Sequence, residues 1–330
     1  MSTSKRKDEH IRICLHDNVE SSRSNGFEWY EFSHNALPEI KWEDIDTSTA
    51  FLGKRLFAPL FIEAMTGGTA ESERINKNLA EAAQELGIGM GVGSQRAMIE
   101  TPELKDTYDV RGVAPDIFLA GNIGASHILK YPVEKIEKAL NAIGADALAI
   151  HLNPAQEIAQ ENGDRNFSGV LEKIKAITRD LKKPVIVKEV GSGISADVAR
   201  RLAAAGVDAI DIAGVGGTSW IKVDSMIGRT PYAEFYGWGI PTAESLESCR
   251  KAVRTPLIAS GGIRTGIEVA KALSMGASLA GMALPLLKAA NRSSDDVINL
   301  LEQVIIELKS VMFLTSSKKI TDLRNKAVKI

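Results

Sequence analysis

Residues 147–190 read ALAIHLNPAQEIAQENGDRNFSGVLEKIKAITRDLKKPVIVKEV, and this stretch decides the fold. It begins and ends with a short apolar run, and the residues between them include an apolar series at helical spacing, Val170, Ile174, Ile177 and Leu181. Apolar side chains at such spacing line one face of a helix. The stretch is therefore predicted to form a strand, a crossover helix and a second strand parallel to the first.

The same unit recurs along the chain. Short apolar runs, each followed by a turn and a helical pattern, cover residues 56–65, 87–93, 117–121, 147–152, 184–190, 209–215, 256–260 and 279–284. Eight such units favour a closed α/β barrel of the (β/α)8 TIM type, although alternation alone leaves an open doubly wound sheet as an alternative. We expect a single domain over residues 1–330. It would comprise an N-terminal extension (1–55), the barrel (56–290) and a C-terminal helix and tail (291–330).

Three segments lie outside the repeating units. Residues 1–55 look irregular and are expected either to cap one end of the barrel or to form a floppy arm. Residues 216–239 hold five of the eighteen aromatic side chains and are predicted to be a long loop that acts as a lid or a binding loop. A final helix is predicted from Asp295, and the polar residues 316–330 are expected to be mobile.

Composition excludes several classes of protein. The 330 residues contain 40 Lys and Arg against 42 Asp and Glu, a balance that gives no reason to expect a nucleic acid or an anionic membrane as partner. The charged fraction of 25% and hydrophobic fraction of 44% are typical of a globular protein. No apolar run is long enough to span a membrane or resembles a signal peptide, so we expect a cytoplasmic protein. Cys14 and Cys249 are too few for a disulfide framework and lie away from the strand ends, which argues against a cysteine nucleophile.

Barrel enzymes carry their active sites at the carboxyl ends of the strands. The residues that follow the runs here are polar and rich in glycine, at 65–68, 93–96, 121–124, 151–154, 188–193, 214–219, 260–264 and 281–283. Segments 260–264 and 281–283 follow the last two strands, where many barrels bind phosphate through backbone N–H groups. The sequence therefore predicts a ligand that bears phosphate.

Lys188 stands at the end of an apolar strand, where an ammonium group is costly to bury without an anionic or carbonyl partner. A functional role is expected, while a Schiff-base nucleophile and a lysine that reaches solvent remain alternatives. His151 and Asn153 are two residues apart on a strand and face the same side. Together with Gln156 and Glu157 they can bind a phosphate, with Glu157 holding Mg²⁺ that shares substrate oxygens.

Three basic residues are candidate clamps for an anion: Arg6, Lys7 and Arg96. By composition alone, a charge run such as that from Lys5 to Lys7 is more often a solvated tail.

Taken together, eight motifs resemble those of a known enzyme family. They are RKDEH at 6–10, MTGG at 65–68, GSQR at 93–96, Asn122, HLNPxQE at 151–157, KEVG at 188–191, GGTS at 216–219 and SGGIR at 260–264. In this combination and order the chain resembles the type 2 isopentenyl-diphosphate isomerases from Arg6 to about Leu284. The glycine motifs also occur in other flavin barrels, whereas RKDEH and HLNPxQE are much more specific.

The resemblance implies an isomerase of isoprenoid biosynthesis that depends on FMN and Mg²⁺ and interconverts isopentenyl and dimethylallyl diphosphate. It implies that the flavin must be reduced, typically by NADPH, although no electrons are transferred overall. It also implies a proton added to the alkene and another removed by way of the reduced flavin, and a homotetramer as the assembly.

The resemblance also implies roles for individual residues. FMN would contact Met65, Thr66, Gly67, Ser94, Asn122, Lys188 and Thr218, and its phosphate would contact Gly262, Arg264, Ala283 and Leu284. The substrate diphosphate would lie among Arg6, Lys7, Arg96, His151, Asn153 and Gln156, with the metal on Glu157. Gln156 and Lys188 would assist the chemistry, with Lys188 beside the flavin ring and Gln156 as an alternative proton relay.

Three other functions remain open at this stage. An FMN-dependent oxidoreductase of the hydroxy-acid or dihydroorotate type could use the same barrel, but the strand before residues 216–219 is followed by GGTS and no histidine. A flavin- or phosphate-binding protein without catalysis is the second alternative. A lyase that forms a Schiff base on Lys188 without a cofactor is the third.

Overall fold

The computed structural model describes residues 3–330, and its centre is a closed barrel of eight parallel strands. In chain order the described strands are β1 (Tyr30–Phe32), β2 (Thr49–Phe51), β3 (Lys54–Leu56), β4 (Leu60–Ile62), β5 (Gly89–Gly91), β6 (Leu119–Gly124), β7 (Ala147–His151), β8 (Val185–Lys188), β9 (Ala209–Asp211), β10 (Leu257–Ala259), β11 (Leu279–Met282) and β12 (Ala327–Lys329). Strands β4 to β11 form the barrel, which closes between β11 and β4. Each predicted run overlaps one barrel strand, so the predicted (β/α)8 fold is confirmed.

Helices surround the barrel and connect its strands. They are α1 (Thr3–His16), α2 (Ala70–Leu86), α3 (Arg96–Glu100), α4 (Ala125–Ile128), α5 (Val133–Ala142), α6 (Pro154–Ala159), α7 (Val170–Asp180), α8 (Ala196–Ala204), α9 (Trp220–Gly228), α10 (Thr242–Ala252), α11 (Gly266–Ser274), α12 (Leu284–Ala290) and α13 (Ser294–Leu314). The predicted apolar face of α7 is buried through Val170, Ile174 and Ile177. Gly87 ends α2 in the left-handed conformation, with φ of 59°, which a side chain would disfavour. No helix in the described part of the chain is long and apolar enough to cross a membrane.

Alternation along the strands divides the side chains between two environments. One residue of each pair faces the helices, where a large apolar core forms, and the next faces the barrel interior. The lower half of that interior is apolar and includes Phe61, Phe118 and Ile186. The hairpin of β2 and β3 closes this end, because Phe51 meets the ring of Phe118 edge-on at 5.5 Å between centroids. Polar side chains can therefore occupy only the upper half of the interior.

The N-terminal segment is more regular than predicted. Instead of an irregular arm, the described residues begin with α1, which packs against α9 and α12 over the upper end of the barrel. Ile11, Ile13 and Cys14 of this helix are buried. Met1 and Ser2, the first residues of the predicted extension, lie outside the described residues. The helix was missed because its sequence is mostly polar. Its few apolar side chains, at Ile11, Ile13 and Cys14, are buried by contact with the rest of the fold.

The C-terminal segment begins as predicted with a long helix, α13, whose face from Val297 to Met312 is buried. The expectation that residues 316–330 are mobile is wrong. Leu323 is fully buried, and β12 pairs with β1 in an antiparallel sheet that joins Tyr30 to Lys329. This polar segment is held by a strand about 300 residues away, which local sequence patterns do not reveal.

Phe118 is expected to be a large contributor to stability, because it is 1% exposed and packs between Phe51 and Phe61. Replacement by alanine should lower the free energy of unfolding by about 3–5 kcal/mol, measured by urea denaturation. Leu37→Ala, at a side chain that is 71% exposed, serves as the control and should change it by less than about 0.5 kcal/mol. Equal losses in the two variants would contradict the assignment of Phe118 to the closed end of the barrel.

Candidate active site

A deep cavity opens at the carboxyl ends of the barrel strands. Of the residues predicted to contact a ligand, every one except Gly67 lines it: Arg6, Lys7, Met65, Thr66, Ser94, Arg96, Asn122, His151, Asn153, Gln156, Glu157, Lys188, Thr218, Gly262, Arg264, Ala283 and Leu284. Gly67 instead packs beside the ring of Tyr108, where an added Cβ would lie 2.1 Å from a ring carbon. The structure thus brings together residues from all eight strand ends and from α1.

The middle of the cavity is formed by the last inward-facing residue of neighbouring strands. His151 lies at the end of β7, and its Nδ1 is 2.8 Å from Oδ1 of Asn122 on β6. Burial and the nearby charge of Lys188 lower the pKa of His151 to about 3. The ring is therefore neutral, and with Nδ1 as the donor to Asn122 its Nε2 is left as an acceptor.

A buried group of three ionisable side chains, Lys188, Glu63 and Asp211, forms the floor. The Nζ of Lys188 is 3.2 Å from Asp211 and 3.4 Å from Glu63, and it donates a hydrogen bond of 2.6 Å to the carbonyl of Glu189. Burial lowers the pKa of Lys188, but the charges of Asp211 and Glu63 outweigh it and the net shift is upward. A protonated lysine is a poor nucleophile, so the floor does not support the Schiff-base alternative.

Glu63 and Asp211 were missed by the sequence analysis. Burial and the charge of Asp211 raise the pKa of Glu63 to about 8. Neither carboxyl oxygen of Glu63 makes a hydrogen bond among the described residues, and one of them fills the space where a side chain on Gly281 would lie. The available signal was a single acidic residue inside each of two apolar runs, 56–65 and 209–215.

The turn after β7 organises the side chains predicted to bind a diphosphate and a metal. Asn153 donates to Glu157 Oε1 at 2.9 Å and to Gln156 Oε1 at 3.2 Å, and Gln156 donates in turn to Asp224 at 2.8 Å. The second oxygen of Glu157 accepts the amide of Asp164. The described residues contain no group of three or more His, Cys, Asp or Glu side chains that could hold a metal. A cation at Glu157 would therefore need water and ligand oxygens to complete its coordination.

Two further residues of this corner escaped the sequence analysis as site residues. His10 from α1 lines the cavity and lies 3.0 Å from Oδ1 of Asp224, whose other oxygen accepts from Gln156. The sequence did point to His10, because it belongs to the RKDEH motif. Nothing in the sequence pointed to Asp224, the single acidic residue on α9.

The predicted anion clamp is assembled from α1 and from the loop after β5. Arg6 and Arg96 line both this cavity and a second, polar cavity beside it. Lys7 is already engaged, since it donates to the carbonyls of Gly67 and Ser94 and to the hydroxyl of Tyr108. Burial, with Arg6 and Arg96, lowers its pKa to about 7. In the structure Lys7 attaches α1 to the barrel rim.

The glycine-rich loop after β10 and the turn from β11 into α12 at Ala283 and Leu284 form the opposite end of the cavity, where a phosphate site was predicted. Gly262 has a φ of +77°, and a Cβ there would lie 2.3 Å from the carbonyl oxygen of Gly216. The side chain of Arg264, predicted to hold phosphate, pairs with Glu20 at 2.6 Å, and its amide donates to Glu268. Arg264 thus lines the cavity, but its guanidinium forms an ion pair with Glu20 of the N-terminal segment.

The segment predicted to be an aromatic lid has a different structure. Residues 216–239 contain α9 and a short 3-10 helix, so the prediction of a long loop is wrong. Trp220 lines the cavity, but Tyr232, Phe235 and Trp238 pack on one another outside it. Trp220 is held at the cavity by α9 and by an edge contact with His10 at 5.1 Å.

Comparison with known proteins decides between the alternatives. A protein from Pyrococcus furiosus named isopentenyl-diphosphate delta-isomerase is 49% identical over 333 residues, which cover 97% of this chain and 84% of the relative. A protein of the same name from a Nostoc species is 47% identical, with 98% and 95% covered. This chain belongs to the isopentenyl-diphosphate delta-isomerase family. The resemblance inferred from the motifs is confirmed, and the chain is an isomerase.

The wider relationships of this isomerase agree with its barrel. Residues 135–330 match the family of FMN-dependent dehydrogenases, to which the chain therefore also belongs. Among solved structures, a mandelate oxidase with (S)-mandelic acid has a TM-score of 0.68 at 17% identity, with 98% of this chain and 95% of that one covered. An active chimera of (S)-mandelate dehydrogenase has a TM-score of 0.70 at 18% identity, with 99% and 97% covered. At this identity the likeness shows the fold alone.

The floor of the cavity predicts a pH dependence of stability. The folded chain retains a proton on Glu63 up to about pH 8, whereas the unfolded chain releases it near the ordinary value of 4.5. Stability from this group therefore falls as the pH rises between these values. Glu63→Gln keeps a neutral side chain, so its melting temperature relative to the parent should rise from pH 5 to pH 8.

Thermal melts at a series of pH values test this expectation. Glu81→Gln, on an exposed position of α2, measures the effect of the same substitution at the surface. A difference between Glu63→Gln and the parent that is constant from pH 5 to pH 9 would show that Glu63 does not titrate in this range.

Proposed function

We propose that this isomerase interconverts isopentenyl and dimethylallyl diphosphate with FMN bound in the barrel mouth. The observation that carries the proposal is the division of one cavity into two polar ends over a charged floor. One end is made of glycine-rich loops, and the other combines Arg6 and Arg96 with the polar cluster from His151 to Glu157. Two separate anionic groups, a cofactor phosphate and a substrate diphosphate, suit such a cavity. The names of the curated relatives support the choice of substrate.

The described residues fit FMN. Gly262 packs against the backbone of the loop after β9, where a Cβ would meet the Gly216 carbonyl, and glycine backbone of this kind is typical of loops whose amides approach a phosphate. Lys188 provides a fixed cation on the floor, and Glu63, whose carboxyl oxygens make no hydrogen bond among the described residues, lines the cavity beside it. We propose that Met65, Thr66, Ser94, Asn122 and Thr218 contact the ring and ribityl chain, as the resemblance implies.

FMN, when bound and reduced, would supply the proton donor and acceptor for a reaction without net electron transfer. The part of the protein is orientation and electrostatics. Lys188 would favour an anionic ring beside it. Gln156, whose amide is oriented by Asn153 and Asp224, would face the substrate and is the residue of this cluster best placed to relay a proton. Trp220 and Ile11 would cover the hydrocarbon tail.

The diphosphate would be held at the other end of the cavity. Arg6 and Arg96 can bind its oxygens from α1 and the β5 loop, and the neutral His151 and Asn153 face the same space. Lys7, bound to the carbonyls of Gly67 and Ser94 at the cavity rim, would return to full charge beside the diphosphate. Glu157 would bind Mg²⁺ together with diphosphate oxygens and water, the arrangement this ion usually adopts.

Other parts of the proposal rest on the resemblance alone. They are NADPH as the reductant and a homotetrameric assembly. A cytoplasmic location, and a single domain in which the segments before and after the barrel act as its cap and its closing helix, are proposed from the sequence patterns instead.

The proposal predicts that isomerisation depends on reduction without consuming the reductant. Isopentenyl diphosphate should be converted anaerobically with FMN and Mg²⁺ only after dithionite treatment, as followed by NMR. Conversion should continue for many turnovers per flavin reduced. A yellow, reducible protein that leaves the substrate unchanged would refute the isomerase and favour the hydride-transferring oxidoreductase.

Glu157→Gln tests the metal site. Loss of the carboxylate should raise the Mg²⁺ concentration for half-maximal activity by on the order of tenfold or more, because a neutral amide is a weaker ligand. Bound FMN, measured by absorbance after gel filtration, should be unchanged. Glu161→Gln, an acidic residue on the wall of the neighbouring polar cavity, is the matched control. Loss of FMN from Glu157→Gln would contradict the assignment.

A further inference from the structure

The N-terminal segment crosses the outer side of the proposed cofactor-phosphate loops. We call residues 18–25 the strap. Its backbone pairs with the loop after β9, since Ser21 donates to Gly217 at 2.8 Å and Ser219 donates to Val19 at 2.9 Å. At the C-terminal end of the strap the two backbones are in close contact: a Cβ added to Gly216 would lie 2.4 Å from the backbone of Asn25. The strap is therefore packed directly on this loop.

Asn25 connects the strap to the second loop, the one after β10. Its amide nitrogen donates to the carbonyl of Gly262 at 2.8 Å and to Oε1 of Glu268 at 2.6 Å, while its oxygen accepts the amide of Phe27 at 3.0 Å. The residue is 7% exposed. Both hydrogens and the oxygen of its side chain are thus used: one bond acts on the loop, one on helix α11 that follows it, and one within the N-terminal segment.

Planar peptide geometry transmits this contact to the cavity. In a trans peptide the carbonyl and the following N–H point in opposite directions, and the described chain has no cis peptide bond. With the Gly262 carbonyl held by Asn25, the amide of Ile263 points away from the strap. Gly262 and Ile263 line the cavity, whereas Asn25 does not, so the opposite side is the cavity side.

The neighbouring peptide is held in the same way. Thr242, at the start of α10, donates to the carbonyl of Gly261 at 2.6 Å, which directs the amide of Gly262 to the opposite side. Glu268 completes the arrangement, because its Oε2 accepts the amides of Arg264 and Thr265 and its Oε1 accepts from Asn25. Asn25 is the member of this network that comes from outside the barrel.

We propose that Asn25 is a positioning residue for the cofactor phosphate: it fixes the Gly262–Ile263 peptide so that its N–H donates into the phosphate site. This inference rests on the proposed FMN site. It assigns part of the affinity for the phosphate, and none of the affinity for the flavin ring, to a residue that precedes the barrel.

The test compares FMN with riboflavin, which has the same ring and no phosphate. Asn25→Asp keeps the oxygen that accepts the Phe27 amide but removes both donors and places a carboxylate against Gly262 and Glu268. Dissociation constants are measured by flavin fluorescence for the apo full-length chain. We expect FMN to bind on the order of tenfold or more weakly to the variant and riboflavin to bind within about twofold of the parent.

Asn18→Asp is the matched control, because it introduces the same charge at an exposed position of the strap. It should leave the affinities for both ligands unchanged. Asn25→Ala, which removes the donors without adding charge, should also weaken FMN selectively and separates the loss of the donors from the added repulsion.

The outcomes are distinct. Selective loss of FMN affinity in both Asn25→Asp and Asn25→Ala supports the proposal. Equal weakening of both flavins, no weakening of FMN, or failure of both variants to fold would overturn it and leave Asn25 as part of the scaffold. A parent chain that binds riboflavin as tightly as FMN would refute the proposed phosphate site itself, and the role of Asn25 would fall with it.

Discussion

The alternation of side chains along the eight parallel strands is the constraint on which the rest of the structure depends. Because successive residues face opposite sides, the strand ends that bury Ile186, Ala149 and Ile258 in the barrel interior must also turn Lys188, His151 and Ser260 inward two residues later. The lower interior is filled with apolar side chains and is closed by Phe51. Every polar inward-facing residue is thereby confined to one open end, and the site is a consequence of strand register.

The segments outside the barrel complete that end. Helix α1 brings Arg6, Lys7 and His10 to the cavity, and the strap that follows it reaches the loops on the far side through Glu20 and Asn25. The continuous stretch from Arg6 to Asn25 thus touches both polar ends of the cavity. The same segment therefore contributes contacts to both proposed anion sites.

The sequence could predict features that depend on residues close together in the chain, and could not predict those that depend on contacts between residues far apart in it. The barrel followed from the repeated units, and the residues after each run lie around the cavity because strand ends must meet at one rim. Asp224 could not be found, since its role depends on α9 placing it beside Gln156 and His10. The sequence also could not predict that β12 pairs with β1, or that Trp220 is separated from the other aromatic residues of its segment. Both features depend on contacts between distant parts of the chain.

The charges of the floor explain how it can accommodate an anionic group above it. One ammonium group, Lys188, faces two carboxyl groups, Glu63 and Asp211, and Ser260 donates to Asp211 at 2.6 Å. With both carboxyl groups ionised the floor would be negative and would oppose an anionic ring above it. A proton on Glu63 leaves the remaining charges of Lys188 and Asp211 balanced, so the ammonium can stabilise an anion without a competing excess of negative charge. The buried acid that the sequence analysis overlooked therefore determines the charge of the floor beneath the proposed cofactor.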